Sequence, residues 1–446
     1  MASGDKLAER GMAVGLRALN RVASSSALDR LGLRDQAVRA VGGAGRNGTR
    51  FAASAGRTFT AAQRRLAAPA RQRTRAERRD LFDLTPTEEQ RLLRDSVGEL
   101  AAQRIRPAAS AADDATGTPP DLLTQSNELG LTMVGVPEEL GGVVDERSAT
   151  TSVLIAEALA HGDMGIAVAC LSPAAVSTAI ALWGDGEQQS RYLPAFVSDD
   201  VPAASLALME PQPLADPIAP AATAVKLPDG GYVLDGLKAL VPRAGDAELF
   251  VIGAALGDRG PALYIVERGT EGLAVTPEPA MGVRAAATGR LQLRDVRVPA
   301  SALLGGDGAE SAYRDCVALA RLAWCAVAVG TGRAVLEYVS AYVRDRRAFG
   351  EPIADRQAVA FAVANIAIEL EGMRLATLRA AARVDGGLEF QREVALARRL
   401  CARHGMTIGS DGVQLLGGHG YVKEHPVERW YRDLRAGGML EGGLLV

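Results

Sequence analysis

The chain has 446 residues, 48% hydrophobic and 23% charged, with a net charge of −3. That length gives room for two to four packed units around a large core, and no uninterrupted apolar run of roughly 18 residues is present to span a bilayer. Cys170, Cys316, Cys325 and Cys401 have no Cys-x-x-Cys or zinc spacing, and His161, His404, His419 and His425 form no His-x-x-x-His motif. The thiols therefore read as reduced core residues of a cytoplasmic protein, and no metal site is expected.

The near-zero net charge hides an asymmetry. Residues 1–80 hold 17 Lys+Arg and 6 Asp+Glu, a net +11, and the remainder is −14. Residues 1–84 are rich in Ala, Gly and Arg, broken by Gly42-Gly43-Ala44-Gly45. No apolar segment with a cleavage site follows the N-terminus, so a secretory signal is not expected. This stretch reads as a partly disordered basic extension. A docking arm for an acidic surface and an organellar transit peptide are the other readings. The only aromatics of residues 1–80 are Phe51 and Phe59, so specific nucleic-acid readout is not expected.

Ordered patterns begin at Thr85-Pro86-Thr87-Glu88, a capped helix start, followed by Leu92, Val97, Leu100 and Ala101 at helical spacing. Leu122 to Leu131 predicts a short helix, and Val136 to Gly142 a turn. Residues 148–184 mix Ala, Leu, Val and Ile without a strand period and predict buried helices, one capped by Pro173. Residues 85–203 thus form an N-terminal helical domain.

From 204 to 307 the pattern changes to short apolar runs bounded by turn residues. They are Ser205–Leu208, Ala224–Leu227, Gly231–Gly236, Leu249–Ile252, Leu263–Val266, Leu273–Val275 and Leu291–Leu293. Such spacing predicts a small antiparallel β domain, with Pro228-Asp229-Gly230-Gly231 as a hairpin turn. From 308 to 446 long helices return, over 309–345, 355–383 and 389–410, with the wide apolar faces of a bundle.

The most specific stretch is 414–443. Gln414-Leu415-Leu416-Gly417-Gly418-His419-Gly420-Tyr421 precedes Arg432-Asp433, and Glu441-Gly442-Gly443 follows eight residues later. A second block is Arg346-Arg347-Ala348-Phe349-Gly350, with Gln357 eight residues after Phe349. Asp295-Val296-Arg297-Val298-Pro299 is a third. Together these blocks resemble the acyl-CoA dehydrogenase family over residues 85–446.

The resemblance implies an α+β fold of helical, β and helical domains. It implies FAD-dependent α,β-desaturation of an acyl-CoA, with an electron-transfer flavoprotein as acceptor; an oxidase variant using O₂ stays open. It makes Glu441 the base. Some members place the base just before a helix arginine, but here that position is Ala320, beside Arg321. Arg321 aligns with the arginine near the substrate, although its usual acidic neighbour is Ala318. Arg346, Phe349 and Gln357 align with the block that reaches FAD across a dimer interface. Gln414, Gly417 and Gly418 align with the turn that receives the adenine-side phosphates. The chemistry suits those residue types, since guanidinium clamps phosphate bidentately and glycine allows close backbone approach. A homodimer or homotetramer is implied.

Departures cluster on the flavin-ring side. The family's Thr-Glu-Pro-x-x-Gly-Ser-Asp reads Met209-Glu210-Pro211-Gln212-Pro213-Leu214-Ala215-Asp216 here. Its Trp beside the flavin is Leu240, and its hydrogen-bonding Thr/Ser is Pro242, which has neither hydroxyl nor N–H. Gly-Thr after the base becomes Gly442-Gly443. A second reading follows: a non-catalytic or half-site subunit of a heterotetramer with a homologous subunit. A third is a binding protein built on this fold, using the basic extension.

Overall fold

The computed structural model describes residues 85–142, 147–198 and 200–446; the basic extension 1–84 lies outside the described residues. Helix α1 (Glu88–Leu100) starts where the sequence places it. Thr87 Oγ1 accepts from Gln90 N, and the Gln90 side chain accepts from Thr87 N, a complete capping box. Of its apolar positions Val97 is buried, but Leu92 is 65% exposed. A π turn leads into α2 (Arg106–Ala115), then α3 (Pro120–Glu128).

The buried segment divides into α4 (Ala149–Gly162) and α5 (Met164–Trp183) at Asp163, whose carboxylate caps α5 by accepting from Ile166 N at 3.0 Å. Pro173 does not cap a helix, as the sequence suggested; α5 runs through it. An interior proline costs about 3 kcal/mol, and burial of both flanks of α5 outweighs that cost. The short helix α6 (Gly186–Tyr192) closes this layer.

Seven strands follow. They are β1 (Ala204–Ala207), β2 (Thr223–Lys226), β3 (Tyr232–Val241), β4 (Leu249–Ala255), β5 (Pro261–Glu267), β6 (Leu273–Pro277) and β7 (Gly289–Val298). The order is β1-β4-β2-β3-β7-β6, with β5 on β4. Most pairs are antiparallel, but β4 joins both β1 and β2 in parallel. The turn at Pro228–Gly231 forms through Gly230 at φ 91° and Asp229 accepting from Gly231 N.

The second helical layer is α7 (Ala309–Asp345), α8 (Gln357–Asp385), α9 (Gln391–Leu416) and α10 (Val427–Met439), with a two-residue hairpin, β8 (Arg347–Ala348) and β9 (Glu351–Pro352), between α7 and α8. Helix α7 packs against α4, α8, α9 and α10 and forms the spine of the main core. Among the described residues two segments, α5 and Gly306–Asp345, are long and apolar enough to cross a membrane by composition. Their most apolar windows are 78% and 83% buried inside the fold, so they are core helices here. All four cysteines are buried free thiols.

Candidate active site

A cavity of about 570 Å³ opens between the β domain and the second helical layer. Its walls come from the loop after β1, the end of β3, Glu278, Arg290, Arg321 of α7, and Gly438, Met439 and Glu441. Glu441 is largely buried, with both carboxylate oxygens accepting from Arg321 Nε at 3.0 and 2.9 Å. Arg398 of α9 stands 3.7 Å from the same carboxylate.

The chain around Glu441 is fixed on both sides. Before it, Arg398 donates to the carbonyls of Gly437 and Leu440, satisfying acceptors left over where α10 ends. After it, the Trp324 indole N–H donates to Gly442 O at 2.8 Å. Gly443 N then donates to Leu206 O at 2.8 Å, and Gly442 bridges Ala207 at the free edge of β1. Gly442 and Gly443 have φ of 72° and 75°, a region glycine enters without strain.

The opposite wall is held by a buried ion pair. Lys238 Nζ donates to Glu210 Oε1 at 2.7 Å, and both side chains are almost fully enclosed. Glu210 also accepts from Ala221 N and Ala222 N, which ties the proline-rich loop 209–222 to β3. Burial pulls the Lys238 pKa down, opposed by the Glu210 charge. Tyr313 donates to Pro217 O at 2.7 Å and anchors the same loop. Glu210 therefore has a structural position, although the sequence offered it only as part of a motif.

A register shift between Lys238 and Val241 turns Leu240 into the cavity at φ 50°. Such bulges re-aim side chains beside functional sites. Leu240 N–H is taken by Glu278 Oε2 at 2.7 Å, and Arg290 pairs with the same carboxylate.

Arg346, Gln414, Gly417 and Gly418 meet in a second concavity of about 420 Å³, with Tyr342, Ile353 and His419. Gly417 follows the last turn of α9 at φ 60° and ψ −132°, and a Cβ on Gly417 or Gly418 would meet nothing within 4 Å. The backbone is thus open to a ligand. Tyr342 hydroxyl lies 2.9 Å from His419 Nδ1, and His419 stacks on His425.

Phe349 and Gln357 do not line this concavity. Phe349 is 95% exposed at the tip of the β8–β9 hairpin, with the Arg356 guanidinium over its ring, and Gln357 is the exposed first residue of α8. The two concavities share no lining residue.

Sequence reasoning missed Arg398, Trp324, Glu278 and Arg290. Arg398 left one signal, a charge inside the buried stripe Val394, Ala397 and Cys401 of α9. Glu278 follows the end of β6 and Arg290 lies on β7, and they left none.

The residues fit a phosphate-bearing dinucleotide unequally. The second concavity offers a guanidinium and open glycine backbone, suited to pyrophosphate. The 570 Å³ cavity presents Leu240, whose N–H is already engaged by Glu278, and so offers a planar ring no free donor from that residue.

Residues 87–200, 205–296 and 306–443 match the N-terminal, middle and C-terminal domains of acyl-CoA dehydrogenase. The mitochondrial short-chain specific acyl-CoA dehydrogenase of Bos taurus is 32% identical over 362 residues, covering 80% of this chain and 87% of that protein. Butyryl-CoA dehydrogenase from Megasphaera elsdenii superposes with a TM-score of 0.74 at 26% identity, covering 80% of this chain and 95% of that one. A chain from a structure of the electron transferring flavoprotein of Acidaminococcus fermentans gives the same TM-score, identity and coverages.

Proposed function

The chain belongs to the acyl-CoA dehydrogenase family of FAD-dependent oxidoreductases, and from that premise we propose that it desaturates an acyl-CoA thioester between Cα and Cβ with Glu441 as base. The observation that carries this reading is one carboxylate, fixed on both sides, facing a 570 Å³ cavity.

The α-proton of a thioester is weakly acidic, so its removal needs a positioned base. Arg321 holds the Glu441 carboxylate at the cavity wall. To take a proton, Glu441 must turn at least one oxygen away from that guanidinium and toward the substrate. Arg321 is then left beside the thioester, where it binds the acyl-CoA. When bound, FAD supplies the acceptor for the β-hydrogen as hydride.

Arg346, Gln414, Gly417 and Gly418 would hold the pyrophosphate and adenosine side. Phe349 and Gln357, exposed and outside the lining of that concavity, would reach the cofactor of a second copy, which makes a homodimer or homotetramer the working unit. An electron-transfer flavoprotein is the proposed acceptor and the cytoplasm the proposed compartment.

The test is to purify the chain alone, record its visible spectrum and add acyl-CoAs anaerobically. A bound flavin that bleaches, and does not bleach in Glu441→Gln, supports the reading. A protein that stays colourless after FAD is added refutes a self-sufficient enzyme.

A second reading, a half-site subunit of a heterotetramer, is favoured by one observation: the Leu240 N–H is engaged by Glu278, and Pro242 has no N–H to offer. It predicts flavin only on co-expression with a homologous subunit that supplies the ring side.

A further inference from the structure

Beyond Glu441 the chain turns into the helical layers. Leu444, Leu445 and Val446 enter a cleft between α4, α5 and α7 and are 1%, 8% and 2% exposed. The walls are mostly apolar, among them Ile155, Ala156, Leu171, Ala174 and Ala323, with Ser152 and Thr178 as the polar members. About 20 Å³ remains beside the inserted residues, little more than the space for a single water. The segment is held at both ends. Trp324 and Leu206 bind the backbone of Gly442 and Gly443 at the near end, and Arg147 donates to Val446 O at the far end.

A cleft of this kind would stand open if residues 444–446 were absent, and it begins within three residues of Glu441. A thioester whose α-carbon lies at Glu441 must send its hydrocarbon into apolar surroundings nearby, because burying each methylene contributes favourably. The chain's own side chains already fill that cleft. We propose that Leu444, Leu445 and Val446 are specificity-determining residues that occupy the acyl-chain cleft and restrict the protein to short acyl groups. The proposal rests on the desaturase reading above, and it concerns which substrate the site takes.

The test is isothermal titration of the full chain with straight-chain acyl-CoAs from butyryl to dodecanoyl. The variant carries Leu444→Gly, Leu445→Gly and Val446→Gly together. The unaltered protein should gain nothing in affinity beyond short chains. The variant should gain about threefold to fourfold per added methylene, the factor expected when each CH₂ enters an open apolar cleft. Equal gains per methylene in both proteins would overturn the proposal.

Arg147→Met releases the far end of the segment without touching the cleft walls. It should raise the same increment if the triple variant does not fold, and an unchanged increment there counts against the proposal. If no acyl-CoA binds to any of these proteins, the desaturase reading fails. The cleft is then read with cis-parinaric acid, a fluorescent fatty acid. Binding to the variant and not to the unaltered chain supports occupation of the cleft, and binding to neither overturns it.

Discussion

Gly443 lies against the ring of Pro242: a Cβ at residue 443 would stand 2.8 Å from Pro242 Cγ and 3.0 Å from Cδ. These are two of the positions at which the sequence departs from its family's pattern, and the fold brings them together. The proline fills space that a side chain at 443 would need, and the glycine supplies a φ of 75°. Gly443→Thr alone should therefore destabilise by about 1–3 kcal/mol through overpacking and strain. Pro242→Thr should be milder. The double variant should cost less than the sum of the two, with a coupling of about 0.5–3 kcal/mol. Urea denaturation of all four proteins checks this, and strict additivity would show that the contact carries no energy.

Removal of the carboxylate at 441 tests the base. Glu441→Gln keeps the shape and can still accept from Arg321, so the fold should be kept, with some loss of stability because Arg321 and Arg398 lose a charge partner. Loss of a general base typically costs about 10²–10⁴-fold in rate. Single-turnover flavin reduction, alone or with a complementing subunit, is the measurement; a rate within tenfold of the parent would exclude Glu441 as base.

The Glu210–Lys238 pair should behave as a buried ion pair. Glu210→Ala strands the Lys238 charge and leaves Ala221 N and Ala222 N without their acceptor. The expected loss is about 3–5 kcal/mol. Replacing both partners, Glu210→Gln with Lys238→Met, should cost far less, because no unpaired charge remains. Chemical denaturation decides between them, and comparable losses would contradict the assignment.

Asp433 gives stability a pH dependence. It is fully buried, accepts from Val283 N at 2.6 Å, and burial, then the nearby Asp163 charge, pushes its pKa up to about 8. A carboxyl whose folded pKa lies above its unfolded value favours the folded state when protonated. That contribution is complete below pH 4 and is lost as pH rises through about 8. Asp433→Asn keeps an acceptor for Val283 N and cannot ionise. Relative to the parent, its Tm should therefore rise by a few degrees between pH 6 and pH 9, the upper part of that window. Parallel melting curves at both pH values would show that Asp433 does not titrate there.

Arg346→Ala tests the second concavity. Arg346 is exposed, so folding should be unaffected, while retention of FAD through gel filtration should fall by about tenfold or more for loss of a charge-assisted phosphate contact. Undiminished retention would remove Arg346 from the proposed cofactor set.

Much of this protein is written locally. Thr87 and Gln90 announce a helix start because a capping box needs only residues three apart. The seven strands of the β domain show as apolar runs between turn residues, and Gly417-Gly418 shows a backbone left bare. Pro173 misled because local propensity opposes a helix that tertiary burial sustains. The partition of the motif residues was not legible: Glu441 and Arg321 share one cavity, Arg346, Gln414, Gly417 and Gly418 another, while Phe349 and Gln357 are exposed and line neither. Nor was the contact of Pro242 with Gly443, the grip of Arg398 and Trp324 on the Glu441 segment, or the burial of Leu444 to Val446. By itself the sequence determined which elements form and which side chains are available, because hydrogen-bond and hydrophobic periodicities act over a few residues. Only the tertiary structure decided which of them meet, because those contacts join positions tens to hundreds of residues apart, and the packing of whole helices and strands sets their distances.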